Sequence, residues 1–128
     1  MHIEEHVPLA TLTTFGIGGP ARYFIWATSL DELREGLRFA DERQLPVFVL
    51  GGGSNVLIDD RGFGGVVIHI AIEGIQYEVA GSHTTVIVGA GESWDGLVSE
   101  VVDKELWGIE NLSGVPGTVG GAVVGNIG

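Results

Sequence analysis

The chain has 128 residues, 45% of them hydrophobic, and a mean hydropathy of +0.33, which excludes a disordered segment. No apolar run approaches the roughly 20 residues of a membrane span. Six Lys plus Arg against 17 Asp plus Glu give a net charge of −11, whose field repels nucleic acid and anionic membrane surfaces as partners. Cysteine is absent, and the start (His2, Glu4, Glu5, His6) lacks the basic and apolar segments of a signal peptide, so a cytoplasmic protein is expected.

His2-Ile3-Glu4-Glu5-His6 has the form H-x-x-E-H of a zinc hydrolase, but Pro8 limits a helix there. A solvated N-terminal arm is expected, with no metal site. Gly16, Gly18 and Ala21 spell G-x-G-x-x-A, yet Phe24, Ile25 and Trp26 behind them read as a strand, not the helix of a dinucleotide fingerprint.

Ser29 with Glu32 forms a capping box, the carboxylate reaching back to the Ser29 N–H, and Leu30, Leu33, Leu37 and Ala40 continue at helical spacing until Leu45-Pro46. Residues 47–50 form a short apolar run, as a strand buried on both faces would. Residues 66–70, 75–80 and 84–88 are β-branched runs separated by turn residues and predict neighbouring strands. His69 falls on a strand and His83 in a turn. Ser93 caps a second helix with Trp94, Leu97, Val98, Val101 and Val102 as its apolar stripe, ending near Lys104. The fold class is α+β or α/β.

Familiar catalytic patterns are missing. Gly52-Gly53-Ser54-Asn55-Val56 carries valine where a nucleophile elbow needs glycine, and the one lysine, Lys104, follows no glycine, which removes a Walker A loop. Asp59-Asp60-Arg61-Gly62 reads as a turn.

Glycine is the outlier, at 22 residues with no three-residue period. In Leu50-Gly51-Gly52-Gly53-Ser54-Asn55, side chains vanish for three residues after a strand and two short hydrogen-bonding residues follow. Consecutive amides there suit a phosphate cradle, and with no Lys or Arg within five residues the attraction would come from backbone dipoles; a tight structural turn is the alternative. Residues 113–126 offer a second uncharged, glycine-studded stretch. It suits a flat ring, with Val115 and Val124 as apolar contacts, or equally the close packing of helices through small residues.

Three segments together resemble one family: Thr13-Thr14-Phe15-Gly16-Ile17-Gly18-Gly19-Pro20-Ala21, then Leu50-Gly51-Gly52-Gly53-Ser54-Asn55-Val56-Leu57, then Gly114-Val115-Pro116-Gly117-Thr118-Val119-Gly120-Gly121-Ala122 with Asn126. With Val88-Gly89-Ala90-Gly91-Glu92-Ser93-Trp94 between them, their order is that of the UDP-N-acetylenolpyruvoylglucosamine reductase (UDP-N-acetylmuramate dehydrogenase) family. The resemblance implies the N-terminal part of a PCMH-type (vanillyl-alcohol-oxidase-like) FAD-binding fold of two α+β subdomains, about 1–71 and 72–128, with the substrate domain absent.

By the same analogy Gly51, Gly52, Gly53, Ser54 and Asn55 hold the FAD pyrophosphate, with Val56 a further cofactor-binding residue. Gly114, Val115, Pro116, Gly117, Thr118, Gly120, Gly121, Val124 and Asn126 lie along the flavin and ribityl chain. FAD is expected to bind non-covalently, since no histidine lies in the glycine loop. The family takes hydride from NADPH, passes it to a UDP-sugar enolpyruvate and makes UDP-N-acetylmuramate for peptidoglycan. Its catalytic serine, arginine and glutamate fall beyond residue 128, so no catalytic residue is expected here and the piece alone is expected to be inactive. Self-association through an exposed apolar surface is expected. A stand-alone, non-catalytic flavin- or nucleotide-binding module is the alternative.

Overall fold

The structure is a computed structural model and describes residues 1–125 together with Ile127; Asn126, one of the expected flavin contacts, lies outside the described residues. Two compact units divide the chain, Met1–Ala71 and Ile72–Gly128, and each mixes strands with helix, so the chain is α+β. No helix among the described residues is long and apolar enough to cross a membrane.

The first unit runs β1 (Ile3–Pro8), a 3-10 turn (Ala10–Leu12), β2 (Pro20–Ala27), α1 (Leu30–Glu42), β3 (Val47–Leu50) and β4 (Phe63–Ile70). Its sheet has the order β1-β2-β4-β3, with β1 antiparallel to β2 and the other two pairings parallel. The two central strands are β2 and β4, and both faces of each are covered. Phe24, Leu50 and Val67 pack with Leu9, Ala21 and Ile58 beneath the loops on one face. Ile25, Ala27, Val66 and Ile68 pack with Ala40 of α1 on the other. Each fully buried Phe or Ile contributes about 2 kcal/mol by leaving water, so this double-sided strand pair dominates the unit's stability.

Several elements depart from the sequence reading. Residues 2–6 are no loose arm: Ile3↔Ile25 and Glu4↔Phe24 zip β1 onto β2, and an extended strand cannot present the histidine pair of a helical zinc motif. The apolar run 47–50 is an edge strand rather than one buried on both faces, so Val49 is 55% exposed; β4 takes the central place. Of the three runs expected to be neighbouring strands, 75–80 and 83–88 do pair, in a hairpin of their own, whereas β4 belongs to the four-stranded sheet. Ser29 caps α1, its Oγ accepting from Glu32 N at 3.2 Å. The Glu32 carboxylate, however, accepts from Thr28 N and Thr28 Oγ1 rather than from Ser29 N, and these bonds hold it below the usual carboxylate range. In α1 the buried positions are Gly36 and Ala40, whereas Leu30 and Leu37 face solvent, because the helix sits close against Ile25 and Ile68.

The second unit pairs β5 (Ile75–Ala80) with β6 (His83–Val88) through a Gly81-Ser82 turn, followed by α2 (Trp94–Asp103), a 3-10 turn (Glu110–Leu112) and α3 (Val119–Val124). Alternation along the hairpin sends Ile75, Tyr77, Val86 and Val88 to one face, where they meet Trp94, Leu97, Val98 and Val101 of α2. Trp94 lies in that core with its polar edge satisfied, Nε1 donating to Leu112 O at 2.9 Å. Ser93 caps α2 as its sequence predicts, accepting from Gly96 N; Val102 leaves the expected stripe and faces solvent.

Candidate functional site

Residues 51–55 leave the carboxyl end of β3 beside β4, the end of parallel strands where α/β folds place ligands. Among the described residues, no carbonyl or side chain accepts a hydrogen bond from the N–H of Gly51, Gly52, Gly53, Ser54 or Asn55. Buried or half-buried backbone donors are ordinarily paired; Gly53 is buried and Gly51 and Ser54 are half-buried, while Gly52 and Asn55 are exposed to water, so the three inner amides are the ones whose missing partner leaves a basin of positive dipole ends for a ligand. No lysine or arginine neighbours it in sequence. An anion with several oxygens is the ligand such a basin suits.

The loop is held from behind by a segment whose part is not legible locally. Thr14 N donates to Gly53 O at 2.9 Å, and Gly53 is buried at φ +69 with its Cα against the Leu12 carbonyl. A Cβ on Gly53 would stand 2.0 Å from Leu12 O, so glycine is required there by close approach as well as by backbone conformation. Farther along, Gly19 N donates to Asp59 O at 2.9 Å and Leu9 N to Gly19 O at 3.2 Å. Asp59 makes the expected turn: its Oδ1 accepts from Arg61 N at 2.8 Å, and the Arg61 guanidinium holds the carboxylate below its ordinary range. The stretch 13–21, which fails as a dinucleotide fingerprint, is therefore a brace for residues 51–62.

One row of side chains adjoins the loop. Register pairs Trp26 with His69 and His69 with Leu50, the residue before Gly51. The Trp26 and His69 rings lie 4.4 Å apart at 48°. His69 Nδ1 is buried with no hydrogen-bond partner among the described residues, and burial lowers the imidazole pKa, which leaves the ring neutral. The sequence reading gave His69 only a strand position and singled out Trp26 solely as part of a strand.

The second glycine segment is put together differently. Gly114 N donates to Asp95 Oδ1 at 2.6 Å, Val119 N to Glu92 O at 2.8 Å, Gly120 N to Ala90 O at 3.0 Å and Gly121 N to Thr118 Oγ1 at 3.2 Å. Gly117 O accepts from Trp94 N. Gly120 sits so near Ala90, in the turn before α2, that an added Cβ would lie 2.9 Å from its methyl. Val115 is half-buried against the α2 core, Pro116 is exposed, and Val124 is 89% exposed. Val56 is half-buried and packs beneath the first unit's loops.

Comparison with known proteins bears directly on these loops. The family model described as "FAD binding domain" matches residues 21–128. Over 97% of the chain the sequence is 47% identical to the UDP-N-acetylenolpyruvoylglucosamine reductase of Cutibacterium acnes and covers 33% of that protein. Against the reductase of the same name from Thermobifida fusca the figures are 45% identity, 97% of this chain and 35% of the relative. The crystal structure of UDP-N-acetylenolpyruvylglucosamine reductase from Thermus caldophilus superposes with a TM-score of 0.73 at 35% identity, over 96% of this chain and 41% of that one. The chain thus spans about a third of the length of the curated relatives it matches. The resemblance carried by the three glycine segments holds across nearly the whole sequence, and with the α+β architecture and the family match over 108 residues, counting 21 through 128, the chain belongs to the FAD binding domain family.

Proposed function

We propose that this chain is the FAD-binding part of an NADPH-dependent reductase that converts UDP-N-acetylglucosamine enolpyruvate to UDP-N-acetylmuramate in peptidoglycan precursor synthesis. The observation that carries it is the run of five amides at residues 51–55 without a hydrogen-bond partner among the described residues, in a chain of net charge −11. With no Lys or Arg beside the loop, the attraction for a diphosphate would come from backbone amide dipoles, and a braced loop supplies them. Gly51, Gly52, Gly53, Ser54 and Asn55 would hold the diphosphate, with Val56 a further cofactor-binding residue. Gly114, Val115, Pro116, Gly117, Thr118, Gly120, Gly121, Val124 and Asn126 would line the flavin and its ribityl chain.

FAD, once bound, supplies the two-electron chemistry between NADPH and the UDP-sugar, and the protein supplies position. No histidine stands in the glycine loop, which supports non-covalent binding. No residue here is assigned a catalytic role. The setting we infer is the cytoplasm, where both small-molecule substrates are available. Val47, Val49, Leu57 and Trp107 are exposed apolar residues that support association of the chain with itself.

The test is the visible spectrum of the purified protein, followed by titration with FAD. The parent chain is expected to bind FAD and to melt at higher temperature with it. Gly52→Val, which fills the basin, is expected to abolish both effects. A colourless parent that FAD neither binds nor stabilises overturns the proposal. The alternative is a stand-alone, non-catalytic flavin- or nucleotide-binding module; a coding region that continues into a substrate domain would count against it.

A further inference from the structure

We infer that Trp26 and His69 form a stacking platform for a planar heteroaromatic ring of the same cofactor whose diphosphate rests on residues 51–55; the inference depends on that diphosphate reading. Register sets Trp26, His69 and Leu50 in one row across β2, β4 and β3, and Gly51 follows Leu50 directly. Paired residues of a pleated sheet project to the same face, here the face of Phe24 and Val67. Two interstrand spacings separate the Trp26 backbone from that of Leu50, about 10 Å.

The face is covered by loops as far as Phe24, which is fully buried, yet Trp26 is 40% exposed. A large indole left open at the ligand-bearing end of a sheet, tilted against a neutral imidazole, offers a flat polarisable surface for a base or flavin ring. His69 adds a second sign. Its Nδ1 is buried and unpartnered among the described residues, a destabilising arrangement that a plain packing role does not explain. With Nδ1 as the bare acceptor, Nε2 carries the proton and is the ring atom able to donate to a ligand. The neutral ring also stacks without the desolvation cost of a charge.

Calorimetric titration of FAD into the parent chain, Trp26→Thr, Trp26→Phe and Gly52→Val tests this, with circular dichroism confirming the fold of each. Thr suits a strand but offers no stacking face, so Trp26→Thr is expected to weaken FAD about tenfold or more. Trp26→Phe keeps a ring and is expected to stay within about threefold of the parent. Should Trp26→Thr fail to fold, Trp26→Leu replaces it, retaining apolar contacts while removing the face. ADP and FMN titrated in parallel name the ring: loss for ADP assigns adenine, loss for FMN assigns the isoalloxazine. A folded Trp26→Thr or Trp26→Leu that binds FAD as the parent does, while Gly52→Val does not bind, overturns the platform and leaves the diphosphate cradle standing. Undiminished binding by both variants, or no FAD binding by the parent, overturns the two readings together.

Discussion

Two glycine-rich, uncharged stretches, 51–55 and 114–125, use their backbones in opposite ways. In the second, the amides of Gly114, Val119, Gly120 and Gly121 are spent on carbonyl or side-chain partners within the same unit. In the first, five consecutive amides have no partner among the described residues, although the loop around them is tightly held. Glycine count alone does not mark a ligand site. What distinguishes the first stretch is that its bracing runs through a carbonyl, Gly53 O, so the donors stay free.

Substitutions at the two stretches can break or sharpen this contrast. The largest effect is expected at Gly53→Val, where the left-handed φ of +69 and a Cβ 2.0 Å from Leu12 O leave no place for a side chain. A loss of about 3 kcal/mol or more is expected in thermal or urea denaturation, and an unchanged midpoint would remove the close approach from the account. Gly120→Ala in the second stretch meets the Ala90 methyl at 2.9 Å and the Ala90 carbonyl oxygen at 3.2 Å, a milder clash than at Gly53 that a small shift of α3 relieves. About 1 kcal/mol is expected there; equal losses at both sites would erase the difference between them.

Removing the cap of α3 with Thr118→Val should cost about 1 kcal/mol, visible as faster amide exchange at Gly121. The smallest effect is in pH dependence. Tyr77 donates to the Glu100 carboxylate, and that bond raises its pKa to about 12. A folded pKa above the unfolded value means that stability is complete below about 10 and is lost as pH climbs toward about 12. Tyr77→Phe should flatten this alkaline limb in denaturation curves, with no change near neutrality.

What the sequence discloses follows the range of the interaction. Both long helices begin where Ser29 and Ser93 place them, because a cap is a contact across three residues. The glycine loop after β3 is legible for the same reason, as a local loss of side chains. Strand β1 is not: Glu4, Glu5 and His6 look like a solvated arm until Phe24 and Tyr23 pair with it. Nor does an apolar run state its neighbours, so 47–50 reads as central although β4 holds that place. The brace at Thr14 and the Trp26–His69 row depend on pairings across 39 and 43 residues, the differences 53 minus 14 and 69 minus 26, and no local pattern encodes them.

The hydrogen bond from Thr14 to Gly53 also ties the chain's leading edge to whatever the glycine loop carries. Protease trimming past Thr14 would unhook that loop without touching a residue in it. Conversely, the exchange rate of one amide proton, far upstream of the basin in sequence, becomes a remote gauge of its occupancy, slowing as cargo settles and quickening as it leaves.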